Sequence, residues 1–226
     1  MSDRQLSLAM HMAELARATA GSRTREEILT EVTAVAVELI PGVDTAGILL
    51  IHEDGFDSIA GTSELPHRLD ELQMKYEEGP CVQAALAEPV VRTDDFREEV
   101  RWPRYSAAVA EIGVLSGLSF KLFTGDRTAG ALNLFGLEPR AWDTEAETVG
   151  TVLAAHAASA ILANQQTSQL QAALLTRDRI GQAKGMIMER YGVDEIRAFD
   201  MLSQLSQEEN TKLTEIAQYV IDSPKS

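Results

Sequence analysis

The stretch Asp143–Gln169, D-T-E-A-E-T-V-G-T-V-L-A-A-H-A-A-S-A-I-L-A-N-Q-Q-T-S-Q, divides the pattern of the chain in two. Before it, short β-branched runs alternate with short helical ones. After it, only helical periodicity remains. Thr144 and Glu147 fit a capping box. No Pro follows until Pro224, and Gly150 is the only Gly before Gly181. These signals predict one helix from Thr144 to Arg190, roughly 70 Å long at 1.5 Å per residue. Its Ala-rich first part suits close helix-on-helix packing. The polar run N-Q-Q-T-S-Q-L-Q that follows suits a hinge or an exposed linker.

Upstream, helical spacing covers Leu6–Ala20 and Glu26–Ile40. T-R-E-E at Thr24–Glu27 serves as a capping box, and Pro41-Gly42 as a stop. T-A-G-I-L-L-I-H, a turn at E-D-G and F-D-S-I-A-G-T predict a hairpin. Helices are expected over Leu65–Glu78, Cys81–Ala87 and Trp102–Ile112, with a short strand at Pro89–Thr93. A second hairpin is expected from Leu115–Phe123 and Thr128–Phe135 around T-G-D-R. Downstream, Asp194–Leu205 and Leu213–Ile221 read as short helices. The order predicts an α+β domain, an antiparallel sheet with flanking helices, followed by a long helix and a three-helix tail. The expected divisions are an N-terminal helix at 1–21, a sheet domain at 22–164 and a tail domain at 165–226.

Apolar residues are 45% of the 226, enough for a core, and Cys81 is the only cysteine. A lone thiol makes no internal disulfide and fits a reducing cytoplasm. No run near 20 apolar residues and no cleavable leader is expected, so a cytoplasmic protein without membrane contact is predicted. The net charge of −15 is uneven. Residues 165–226 hold 7 Lys/Arg and 9 Asp/Glu, hence −2, and the preceding 164 residues hold 13 and 26, hence −13. The acidic part repels nucleic acid. Binding of that kind is therefore confined to the tail, where Arg177, Arg179, Lys184 and Arg190 face only Asp178 and Glu189 between Leu170 and Tyr191.

No G-x-G-x-x-G, Walker loop, H-E-x-x-H or G-x-S-x-G is present. His11, His52, His67 and His156 are scattered, without metal-ligand spacing. The acid pairs Glu77-Glu78, Asp94-Asp95 and Glu98-Glu99 read as solvated loops. Cys81 opens a short helix, where a dipole can favour a thiolate, but a small buried hydrophobe is the preferred reading. No catalytic residue, metal or cofactor is expected.

Two motif sets remain. E-G-P-C-V-Q-A-A-L-A-E-P-V-V-R-T-D-D, R-W-P-R-Y-S-A-A-V-A-E-I-G-V-L-S-G-L-S-F and A-G-A-L-N-L-F resemble the GAF domains of actinobacterial regulators. R-x-x-I-x-Q-A-K-G-x-I-M-E-R-x-G, A-F-x-x-L and N-x-K-L-x-x-I-A resemble the ANTAR domain of bacterial antiterminators. The resemblance implies a GAF sensor joined by a long helix to a three-helix RNA-binding ANTAR bundle. It further implies a homodimer that grips paired RNA hairpins in leader transcripts and precludes a terminator, with a small molecule as a possible sensor ligand.

Carried onto this sequence, the resemblance makes Arg177 and Lys184 the main RNA-binding candidates. They are seven apart and so share a helix face. Gln182 and Arg190 are secondary. Asn210, Thr211 and Lys212 precede the last helix, where backbone N–H groups can meet phosphate. Ala183 and Gly185 allow close approach of RNA or of another helix. Ile180, Ile187, Ala198, Phe199, Leu202, Leu213, Ile216 and Ala217 are expected to form the tail core. The chain departs from the family at Glu208-Glu209, whose charge opposes a phosphate contact. The alternative reading is a ligand-sensing or protein-interaction dimer whose tail no longer binds RNA.

Overall fold

The computed structural model describes residues 10, 13, 24–52, 55–81, 83, 88–124 and 127–223. The expected helix at Leu6–Ala20 and most of that at Cys81–Ala87 lie outside the described residues. In chain order the elements are α1 (Arg25–Leu39), β1 (Thr45–His52), β2 (Gly55–Ile59), α2 (Leu65–Tyr76), β3 (Val90–Thr93), α3 (Pro103–Ile112), β4 (Ser116–Thr124), β5 (Arg127–Gly136), α4 (Thr144–Tyr191), α5 (Glu195–Glu208) and α6 (Leu213–Asp222). Backbone contacts divide the chain into two compact units that meet at Asn164/Gln165, within α4.

The first unit is built on an antiparallel sheet of order β2-β1-β5-β4-β3. Both expected hairpins form, and β5 inserts between β1 and β4. The pleat sorts side chains by parity. Ile48, Leu50, Leu118, Phe120, Leu122, Leu132 and Leu134 pack with Leu29 and Val32 of α1 and Leu153, Ala157 and Ile161 of α4. On the opposite face Leu49 and Ala131 meet Cys81, and Phe135 meets Leu69 of α2 and Tyr105 and Val109 of α3. Antiparallel strands with both faces covered explain the dense apolar runs in β1 and β5.

The caps show where local sequence decides. Thr24 Oγ1 accepts from the Glu27 N–H at 3.3 Å while Glu27 Oε2 accepts from the Thr24 N–H at 2.8 Å, a complete capping box. The expected box at Thr144 is displaced by one residue. Asp143 Oδ1 accepts from the Ala146 N–H at 2.7 Å, while Glu147 pairs with Arg92 at 2.9 Å. An acid at the cap satisfies the free amides and also favours the positive helix end.

A second correction concerns Thr144–Asn164. This segment has the length and mean hydropathy for a membrane span, where none was expected. Its apolarity serves the sheet: Ala146, Val149, Leu153, Ala154, Ala157 and Ile161 are all buried in the core of the first unit.

The second unit packs the end of α4 with α5 and α6. Its core is Ala183, Ile187, Ala198, Leu202, Ile216 and Ala217, lined by Ile180, Leu205 and Leu213. Gly192 ends α4 in the left-handed region (φ 64°), with its N–H donating to the Met188 carbonyl at 3.0 Å. Asp194 then caps α5 by accepting from the Arg197 N–H at 2.8 Å. Phe199 departs from the expected core. It is 42% exposed, because Ala198 takes the inward position and the next residue turns about 100° away around the helix.

Candidate functional site

In the second unit an open groove of about 860 Å³ runs along α4 and is bordered by α5. On the α4 side Arg177, Ile180, Gly181, Lys184, Gly185 and Met188 line it at helical spacing, with Asp178 and Gln182 at its edge, and Glu195 and Phe199 supply the α5 side. Arg177, Gln182 and Lys184 are therefore brought together. Arg177 and Lys184 fall on the groove because seven residues make nearly two turns. Arg190 is exposed but does not line the groove.

Lys184 is held back, with its side chain 21% exposed, by an ion pair to the exposed Glu195. The ammonium in turn holds the Glu195 carboxyl below the usual carboxylate range. No ion pair engages Arg177, Arg179 or Arg190 among the described residues. Ala183, read as open to RNA or helix packing, is fully buried in the core. Gly185 is not: a Cβ added there, or at Gly181, meets nothing within 4 Å.

Asn210, Thr211 and Lys212 form a separate turn before α6. Asn210 is in the left-handed region (φ 48°), and the Thr211 N–H donates to the Ser206 carbonyl at 3.0 Å. Ser206 Oγ donates back to the Thr211 carbonyl at 2.6 Å. The Asn210 N–H is also used, donating to the Gln207 carbonyl at 3.3 Å, and Lys212 stands exposed at the α6 N-cap. Glu208 and Glu209 are exposed beside it.

The first unit holds a buried polar cluster on the α2 and α3 face of its sheet. Asp70, Gln73, Ser119 and Asn133 are fully or almost fully buried. Asp70 accepts from Ser58 Oγ at 2.7 Å, Asn133 Nδ2 at 3.2 Å and Gln73 Nε2 at 3.3 Å. Asn133 Oδ1 accepts from Cys81 Sγ at 2.7 Å and Ser119 Oγ at 2.8 Å. Burial, partly offset by these donors and by His67, pushes the Asp70 carboxyl up to about 7. Burial and the Asp70 charge push the Cys81 thiol well above its ordinary range, the reverse of what thiolate chemistry needs. The nearby Tyr105 and Ser106 hydroxyls are buried without a hydrogen-bond partner among the described residues. Sequence reading missed this cluster. Its members are polar residues scattered from Ser58 to Asn133, and only strand and helix packing assembles them.

Each acid pair read as solvated splits: Glu77, Asp94 and Glu98 are exposed as expected, while Glu78, Asp95 and Glu99 turn inward and are ion-paired. Asp95 meets Arg97 at 2.6 Å, Glu99 meets Arg101 at 2.6 Å, Glu78 meets Arg104 at 2.7 Å and Glu98 meets Arg140 at 2.9 Å. Arg92 bridges Asp94 at 2.6 Å and Glu147, and donates to the Trp142 carbonyl at 2.8 Å. Arg92, in the V-V-R-T-D-D motif, therefore ties β3 to the start of α4. Among the described residues no cluster of three His, Cys, Asp or Glu has the arrangement to hold a metal.

Comparison with known proteins finds two family matches along the chain. The GAF domain family matches residues 22–162 and the ANTAR domain family matches residues 168–221. The chain belongs to the GAF-ANTAR family. GAF domains are sensor modules and ANTAR domains are RNA-binding modules, so the architecture is a regulatory one. No curated protein matches the chain.

Among solved structures, the GAF domain of a phosphoenolpyruvate-protein phosphotransferase from Coxiella burnetii is similar at TM-score 0.60 and 16% identity, over 74% of this chain and 99% of that one. The free methionine-R-sulfoxide reductase of Neisseria meningitidis, solved with its substrate, is similar at TM-score 0.54 and 16% identity, over 74% and 95%. The phytochrome photosensory core module of Stigmatella aurantiaca is similar at TM-score 0.55 and 15% identity, over 89% and 45%. At these identities the likeness concerns the GAF fold alone.

Proposed function

We propose that this GAF-ANTAR protein is a cytoplasmic transcription antiterminator rather than an enzyme. Its ANTAR unit binds paired hairpins in leader RNA and so prevents a terminator from forming, and its GAF unit supplies the control. The observation that carries this reading is the groove uniting Arg177, Gln182 and Lys184 within the ANTAR unit. Lys and Arg on one helix face hold phosphates, while unpaired loop bases remain open to side-chain recognition. Arg190 and the turn at Asn210, Thr211 and Lys212 provide secondary contacts.

Two hairpins call for two ANTAR units, and the first stretch of the second unit favours a homodimer. Leu170, Leu174 and Leu175 are exposed on α4. Leu170 and Leu174 are one turn apart, the spacing of a helix seam that a second copy can cover. In the GAF unit the polar cluster at Asp70, with the unpartnered Tyr105 and Ser106 hydroxyls, is the place where a small polar molecule would find hydrogen bonds.

A gel shift with tandem-hairpin leader RNA tests the reading. The wild-type chain is expected to retard the RNA and Lys184→Ala to bind it more weakly. Absence of binding by the wild type, or equal binding by Lys184→Ala, counts against it. The second reading is a sensing dimer whose tail has lost RNA binding. Exposed Glu208 and Glu209 and the engagement of Lys184 by Glu195 favour it. It predicts a dimer that ignores RNA even at low salt.

A further inference from the structure

We infer that Phe199 is the base-recognition residue of the ANTAR unit: its ring stacks an unpaired RNA base in the groove floored by Gly181 and Gly185. The inference rests on the RNA-binding reading and adds the chemical class of group that enters the groove.

Three independent features converge. First, Phe199 is a large aromatic side chain left 42% exposed on the groove wall. It has no place in the buried core of the bundle or among the side chains packed against that core. Second, the floor is bare. Gly181 and Gly185 are one turn apart on one helix face, and a Cβ at either position meets nothing within 4 Å. Glycine within a helix costs about as much as a weak interaction gains, and no contact inside this unit requires it. A flat group can therefore lie against the α4 backbone there. Third, the rim carries two cations, Arg177 and Lys184, beside the acids Asp178 and Glu195. Arg177 has no ion-pair partner among the described residues, and Lys184 is engaged only by the exposed Glu195. Glu195 is 71% exposed, so the pair is open to solvent on the acid's side and can exchange the carboxylate for a phosphate.

An aromatic wall, a flat floor and two cations on the rim match a nucleotide: the base against ring and glycines, the phosphate at Arg177 and Lys184. An apolar side chain of a protein partner would use the ring and Met188 but not the two cations. A phosphate alone would use the cations but not the ring. Stacking on an aromatic side chain accepts any base, so it sets the requirement for an unpaired base rather than its identity.

The test uses the full chain and hairpin RNAs with a fixed stem and a randomised loop. The loop enriched by the wild type is compared with an abasic version that keeps the same phosphates. The inference expects the wild type to prefer the base-bearing loop by roughly 5- to 150-fold. Phe199→Leu, checked for an unchanged thermal melt, is expected to lose that preference while still binding the abasic hairpin as the wild type does. Phe199→Tyr is expected to retain it.

A Phe199→Leu chain that keeps the preference overturns the inference and leaves RNA binding intact, as does a wild type that binds both loops equally. If no loop is enriched and no hairpin binds, the RNA reading itself fails. If Phe199→Leu instead weakens self-association measured without RNA, the groove belongs to a second copy and the inference is overturned.

Discussion

Gly150 and Gly185 stand on the same helix, yet they answer different questions. A side chain at Gly150 would overlap the Phe120 ring of β4, so the residue is required by the packing of α4 on the sheet. A side chain at Gly185 would meet open space. The charges repeat the contrast. In the GAF unit Arg92, Arg97, Arg101, Arg104 and Arg140 each close on an acid of the same unit. In the ANTAR unit Arg177, Arg179 and Arg190 close on none among the described residues. Groups that satisfy one another stabilise a fold. Exposed charges left unpaired, such as Arg177 on the groove, are available to something that is not part of the chain.

The largest test of the contrast lies at the buried end. Asp70 binds its proton more tightly when folded, with its pKa raised from 3.8 to about 7. The unfolded chain therefore releases that proton first as pH rises. Stability from this group is complete below about pH 4, declines by up to about 1.4 kcal/mol per pH unit toward pH 7, and is level above. Denaturant melts across this range are expected to show that decline, and Asp70→Asn to remove it. An unchanged slope in the variant would assign the decline to other groups.

Next in size, Gly150→Ala is expected to destabilise the GAF unit by about 1–3 kcal/mol through overpacking against Phe120, measured by chemical denaturation. The same substitution at Gly185 is expected to act in the opposite direction, stabilising the ANTAR unit by about 0.5–1 kcal/mol. It should also weaken RNA binding, since the added methyl occupies the floor. A Gly185→Ala chain that is more stable and binds RNA as before would break the comparison.

Smaller effects attend the charges. Lys184→Ala is expected to weaken RNA binding uniformly across loop sequences and to lower the slope of log affinity against log salt by about one. Glu195→Gln is expected to strengthen binding slightly at the same salt, because it releases Lys184 from its partner and removes a repelling charge. A fluorescence titration at two salt concentrations reads both.

Much of this molecule is legible in its sequence because local patterns carry it. The apolar, β-branched run at Thr45–His52, the hairpin signal around T-G-D-R, the T-R-E-E cap and the Pro-free run after Asp143 state their own structure, since capping, turns and burial patterns act over a few residues. The placement of Arg177 and Lys184 on one face follows from helical geometry alone. The N-cap at Asp143 was misplaced by one residue, because Thr144 is an equally good capping type. Only the finished helix shows which oxygen reaches the free amide.

Other features needed the tertiary structure. The polar cluster of Ser58, Asp70, Gln73, Cys81, Ser119 and Asn133 has no periodicity, because its six members come from five separate segments, with only Asp70 and Gln73 sharing a helix. The acid pairs read as solvent-facing loops, and only packing shows that Glu78 and Glu98 meet Arg104 and Arg140 from distant segments, while Asp94, Asp95 and Glu99 pair with arginines two residues away. Phe199 looked like core from composition, and its exposure was settled when Ala198 took the inward position. Sequence fixes which side chains share a face of an element. Only packing decides what that face meets, and whether it meets anything in the chain at all.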